Sequence, residues 1–147
     1  MWTPDVLVRW LTSLQVDAAD EYGTRIVPTA GPYIPPRPNR VVVATLSPGA
    51  GTLREDLFDQ PAFQLFCRGD QNDLTGATAG AIAQAYDRAL LFNAAAANTT
   101  VVDDHGARLG RLVGVQRAGG APSPIGPPDD GHRVELTCTY VLQVSTF

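Results

Sequence analysis

The feature that most constrains this chain is a late run, Arg133-Val134-Glu135-Leu136-Thr137-Cys138-Thr139-Tyr140-Val141-Leu142-Gln143-Val144-Ser145. Val134, Leu136, Cys138, Tyr140, Leu142 and Val144 fall on even positions and Arg133, Glu135, Thr137, Thr139, Gln143 and Ser145 on odd ones; Val141 alone breaks the alternation. A period of two means a β-strand with one buried face. At about 3.3 Å per residue the run extends for roughly 40 Å, about twice the usual strand length. It should cross the whole sheet as a central member, and the rest of the chain must supply its neighbours and a lid for its apolar face.

The lid is legible. Thr3-Pro4-Asp5 opens a helix with a capping hydroxyl, a proline in the first turn and a carboxylate near the positive end of the dipole. Leu7, Trp10, Leu11 and Leu14 then recur at helical spacing, which predicts an amphipathic helix over Pro4 to Leu14. A second helix is expected from Thr75 or Thr78 through Asn93, with Ile82, Ala85, Tyr86, Ala89 and Leu90 in one stripe. Strands are expected at Arg40–Leu46, Ala62–Arg68, Thr99–Val102 and Leu109–Arg117, with a short one at Arg25-Ile26-Val27 that Pro28 stops. The order of helix, strands, helix, strands predicts an α+β fold: a largely antiparallel sheet, two helices packed on one face, and a long C-terminal β-hairpin. A chain of 147 residues fits one domain, 1–147, and buries roughly two-thirds of its unfolded surface without needing a metal or disulfide.

Three connections stand out. Pro28 to Asn39 holds five prolines, which cannot pair in a central ladder, so it is an extended arm, either a linker or an arm lying on a neighbouring subunit. Leu53 to Pro61 carries Arg54, Glu55, Asp56 and Asp59 around Leu57 and Phe58; such a loop suits a contact surface, unless its two apolar side chains fold back onto the core. Ala118 to Gly131 has almost nothing to bury and is expected to be flexible or ordered by a partner.

Catalytic signals are thin. The two histidines lie in Asp103-Asp104-His105 and Asp129-Asp130-Gly131-His132, but both are Gly-rich turns, where Asp is favoured for bonding its own backbone. Neither has the helical spacing of a metal motif. Cys67 and Cys138 alternate with polar residues in strands and read as small buried hydrophobes, with a disulfide open to them if the strands pair. Ser47-Pro48-Gly49-Ala50-Gly51-Thr52 lacks the lysine of a phosphate loop. The net charge of −4 argues against a nucleic-acid grip through the overall field, and all 11 basic residues are dispersed arginines. Met1-Trp2-Thr3-Pro4-Asp5 has neither the basic region nor the apolar run of a secretory signal, so synthesis in a reducing cytoplasm is expected. The sequence therefore predicts no catalytic, metal or cofactor site and favours an assembly component.

The arrangement resembles the tail terminator (tail-completion, or minor tail) proteins of long-tailed bacteriophages. The likeness lies in the helix Pro4 to Leu14, the Pro-rich lead-in to Arg40-Val41-Val42-Val43, and the strand Phe63-Gln64-Leu65-Phe66-Cys67. It continues in the Ala-rich helix with Ala89-Leu90-Leu91 and in the closing hairpin through Val115-Gln116-Arg117-Ala118-Gly119-Gly120 and Arg133 to Val144. It covers nearly the whole chain, and no one motif in it is diagnostic. The resemblance implies a virion protein that is not an enzyme: a homohexameric ring on the head-proximal end of the tail tube. Such a ring stops tube polymerisation and meets the head–tail connector or head-completion protein, while DNA passes through its lumen without specific binding. Candidate subunit or partner contacts are Arg54, Glu55, Asp56, Leu57, Phe58, Arg117, Ile125, Asp129, Asp130, Arg133 and Glu135. Competing expectations are a head-completion or tail-tube protein and, in a different class, a metal-dependent enzyme using His105, His132 and the nearby aspartates.

Overall fold

The computed structural model describes residues 2–47, 58–70, 78–94, 100–103, 105–128 and 132–146. Its spine is the strand β8, Arg133–Ser145, and every other strand of the sheet except β1 pairs with it or with one of its neighbours. Along one edge β8 pairs antiparallel with β4 (Ala62–Asp70) and, further on, with the two-residue β3 (Phe58–Asp59). Along the other it pairs with β6 (Arg108–Arg117) and β7 (Ser123–Pro124). Beyond β4 lie β2 (Val41–Leu46) and a short parallel β1 (Thr29–Ala30); beyond β6 lies β5 (Thr100–Val102). The path is β1-β2-β4-β8-β6-β5. This is the expected α+β architecture with its long hairpin.

The predicted alternation in β8 is present. Leu136, Cys138, Tyr140, Leu142 and Val144 are buried, while the odd positions from Arg133 to Gln143 are half-exposed. The same face of the sheet takes Val42 and Ala44 from β2 and Phe63, Leu65 and Cys67 from β4, and both helices close over it. Helix α1 (Pro4–Ser13) begins where its cap requires: Thr3 Oγ1 accepts from the Val6 amide. It buries Val6, Leu7, Trp10 and Leu11 against the β1–β2 side. Helix α2 (Ala79–Arg88) is capped by Thr78, whose hydroxyl accepts from the Ala81 amide, and lies on β4 and β8. Its close approach needs Gly69, where a Cβ would stand 2.5 Å from the Ala79 nitrogen.

Several local expectations are corrected. The second helix does not run in α form to Asn93; it passes into a π-helical turn at Ala89–Ala94. Arg25-Ile26-Val27 makes no strand, only a bridge from Arg25 to Ala19, and the ladder begins after Pro28 at Thr29, where no proline interrupts donation. The described part of the 118–131 connection, residues 118–128, is more ordered than its composition suggests: β7 folds back on β8, and the Ile125 amide donates to the Glu135 carbonyl. Cys67 and Cys138 are free thiols, so no disulfide forms.

Candidate functional site

The second face of the sheet divides into two halves. On one, Val41, Val43 and Phe66 form a small buried cluster of their own, and Arg68, in the same row, is 3% exposed. The Pro-rich arm is bound to this half. Proline carbonyls keep full acceptor strength while the ring removes the donor, so an arm of this kind is held by donors from outside it. Arg68 supplies them: Nε donates to the Asn39 carbonyl at 2.9 Å, and Nη2 to those of Pro35 and Pro38 at 2.7 and 2.8 Å. Arg133 Nη1 adds a bond to the Pro36 carbonyl at 3.0 Å. The arm is thus strapped to its own sheet. Glu21 fixes the arm's exit by accepting from the Asn39 and Arg40 amides; burial opposes its ionisation, yet these bonds hold its carboxyl below the usual range.

The other half of this face is mostly half-exposed and carries mainly uncharged side chains, with the exposed Arg111 level with Ser145 at its far end. Registers align Thr45 with Gln64 and Thr139, Ala62 with Val141 and Gln116, and Gln143 with Gly114. Each of these residues is half or fully exposed.

Beside β1 lies a groove of about 320 Å³ between the 20–25 turn, the arm and the outer edge of β2. Ile26, Val41 and Val42 form its floor, and Arg25, Arg37 and Arg40 stand around it with Asp20. Arg40 Nε is 2.9 Å from Asp70 Oδ2.

Under the helices, Asp87 joins three elements. It accepts from Tyr140 Oη at 2.7 Å and from Arg117 Nε at 3.0 Å, with Arg117 Nη2 on its other oxygen. Arg117 holds the Asp87 carboxyl below its ordinary value despite burial, and burial pushes the Tyr140 and Tyr86 phenols up. This arrangement ties α2 to β6 and β8. The histidine motifs bear out turn chemistry at Asp103, whose Oδ1 accepts from the His105 and Ala107 amides at 2.8 Å, bonds that lower its pKa. Among the described residues no group of three or more His, Cys, Asp or Glu could hold a metal, and no helix is long and apolar enough to cross a membrane.

The sequence-derived contact residues are scattered. Arg54, Glu55, Asp56, Leu57, Asp129 and Asp130 lie outside the described residues, and of Phe58 only the backbone is described, paired with Ser145. Arg117 is turned inward onto Asp87 and Arg133 onto the arm, while Ile125 is 48% exposed and Glu135 stands opposite Arg68 in the ladder. Sequence reasoning missed Arg68, Asp87 and the groove arginines. A signal for Arg68 was present: it shares a strand face with Phe66, so its charge had to be met by something lying over that face.

No protein-family model and no curated protein matches the sequence. Among solved structures, a chain from "Virion of native gene transfer agent (GTA) particle" aligns over 92% of this chain and 84% of its own, at 19% identity and a TM-score of 0.47. A likeness at that level carries no statement about what this protein does.

Proposed function

We propose that this chain is a structural, non-enzymatic component of a phage-like virion. More narrowly, it is a tail terminator: a 1–147 domain forming a homohexameric ring at the head-proximal end of the tail tube, ending tube growth and meeting the head–tail connector. What supports this is the sequence resemblance, together with the architecture it implied. The single observation that carries the reading is the half-exposed, mainly uncharged part of the sheet's second face. Its Thr45, Gln64, Thr139, Gln143 and Gln116 bear hydrogen-bonding groups and no charge. Such a face, with Arg111 at its far end rather than a cluster of cations, can bond a neighbouring subunit, or line a passage for DNA, with little of the counterion release that would make DNA stick. Ile125, Glu135 and the 53–61 and 118–131 loops are the proposed contacts with neighbours, and no cofactor is involved.

Negative-stain imaging of the purified protein, alone and with tail-tube protein, tests this. Closed rings that seat on tube ends and halt elongation are expected. A chain that stays monomeric at all concentrations and ignores tubes refutes it, and self-assembly into tubes would favour a tail-tube role. Glu135→Arg is a poor probe, because it sets a second cation opposite Arg68 and strains the fold as well as any assembly. Thr139→Arg, among the uncharged side chains of the half-face, reads assembly with less effect on folding.

A further inference from the structure

The two terminal strands of the sheet differ in what their outer edges offer. At β1, Pro28 and Pro32 supply no donors, and the Gly31 amide is already given to the Ala44 carbonyl, so that edge is blunted. At the other end β5, Thr100-Val101-Val102, carries neither proline nor charge, and among the described residues it pairs only with β6. The ladder shows which of its backbone groups are spent. The Asp103 amide donates to the Ala107 carbonyl at 2.8 Å, so the groups of Asp103 face β6. Such groups alternate along a strand, and the extra residue of the register shift, Leu109, lies in β6, so the order within β5 is unbroken. Val101 therefore also faces β6, while Thr100 and Val102 turn their N–H and C=O groups outward, where no described residue pairs with them.

Beside this edge runs a cleft of about 180 Å³ whose far wall is helix α1. Val6, Arg9, Trp10 and Ser13 recur at i, i+3, i+4 and i+7, so one stripe of the helix lines it. Val6, Trp10 and Val101 give it an apolar interior, and Arg9 ties the helix to the end of β5, Nη1 donating to the Asp103 carbonyl at 3.0 Å. The volume compares with the roughly 150 Å³ that holds a benzene ring, room for one apolar side chain. On β6 the exposed Arg111 and Arg108 stand level with Thr100 and Val102. In a chain of net charge −4 the open edge is thus bordered by cations. A strand added to β5 would lie about 4.8 Å beyond it and turn successive side chains to opposite faces. The residue level with Val101 would face the cleft, and its two neighbours the side of Arg108 and Arg111.

We propose that β5 is a docking edge for an extended segment of a partner protein in which acidic residues flank an aliphatic one. The segment continues the sheet by strand addition: its backbone bonds the outward groups of Thr100 and Val102, its aliphatic side chain enters the cleft, and its carboxylates lie on the side of Arg108 and Arg111. Titration of the isotope-labelled protein with a blocked peptide that alternates glutamate and valine, followed by amide shifts, tests it. Saturable shifts at Thr100, Val102 and the Trp10 indole are expected, with a Kd of about 1 mM or tighter. Only one alternate set of the peptide's amides can face β5, so N-methylating that set should abolish binding and N-methylating the other should leave it. A peptide with lysine in place of glutamate, and the surface variant Arg111→Glu, should each weaken binding about fivefold or more. Absence of shifts at Thr100 and Val102 up to about 5 mM peptide overturns the docking edge, as does equal tolerance of both methylated sets. Equal binding of the lysine peptide overturns the acidic assignment of the partner. If a short oligonucleotide shifts these amides and the peptide does not, the edge serves a nucleic acid and the proposal falls.

Discussion

Replacing Arg68 by Met should release the proline arm while leaving the two-helix core in place. Methionine matches the unbranched stem of arginine, so the space within the sheet is kept and the guanidinium alone is lost. Three hydrogen bonds from one buried cation go with it, to Pro35, Pro38 and Asn39. A bond from a charged donor contributes about 1.5–3 kcal/mol and a neutral one about 1, but three bonds sharing one group do not add, and carbonyls on a lifted arm regain water. Loss of cover over Val41, Val43 and Phe66 adds part of their burial energy. The expected cost is about 3 kcal/mol, which for a chain of this size lowers the melting temperature by roughly 9 °C. Urea titration should show a lower midpoint and, if the arm is already free in the native state of the variant, a smaller slope because less surface remains to be exposed. Hydrogen exchange supplies the local readout, since the amides of Gly31 and Val43 should lose protection before those of Cys138 or Leu142. A variant that melts within about 1 °C of wild type with unchanged protection would refute the assignment of Arg68 as the arm's anchor.

Two further outcomes are expected. Asp87→Asn should cost about 2 kcal/mol at pH 7 by removing a buried charged acceptor from Tyr140 and Arg117. Because the folded-state pKa of Asp87 is depressed, its contribution is fully present above the ordinary carboxylate range and is lost as pH falls through the lowered value. Urea midpoints from neutral to acid pH should therefore fall less steeply in Asp87→Asn than in wild type, and parallel acid limbs would contradict this. Burial, with a smaller contribution from the nearby Cys138, pushes the Cys67 thiol up to about 12. A maleimide at pH 8 should then label Cys67 only at the rate of opening, accelerating in urea, and prompt labelling of the folded protein would show the strand to be accessible.

The parts of this fold that could be read from the sequence are those with a repeating physical signature. The period of β8, the stripe of α1 and the Thr3 cap each reflect a local rule, and each fell within a residue or two of its place, while α2 opens at the later of its two expected starts, Thr78. The short strands β1, β3 and β7 could not be read, because two-residue ladders have no period and exist only where a partner already stands. The site was less legible still. Arg117 and Arg133 look like surface charges in the sequence, yet one is committed to Asp87 in a helix 30 residues earlier and the other to the Pro36 carbonyl, 97 residues away. Long-range commitments of this kind leave no mark on neighbouring residues. The groove, too, combines residues 20–29, 35–42 and their arginines, which no local pattern relates.

The position of β8 sets the order in which the subunit can come into being. Every strand it joins, β3, β4, β6 and β7, precedes it in the sequence, and β4 and β6 are adjacent to it rather than to each other. During synthesis they wait with open ladder edges until Arg133–Ser145 has emerged, and insertion of that strand closes both edges at once. A chain whose β8 has not yet emerged is consequently unable to present a finished sheet face to a neighbour. Joining to other subunits is thereby deferred until translation has passed β8, a built-in safeguard against recruiting half-made molecules.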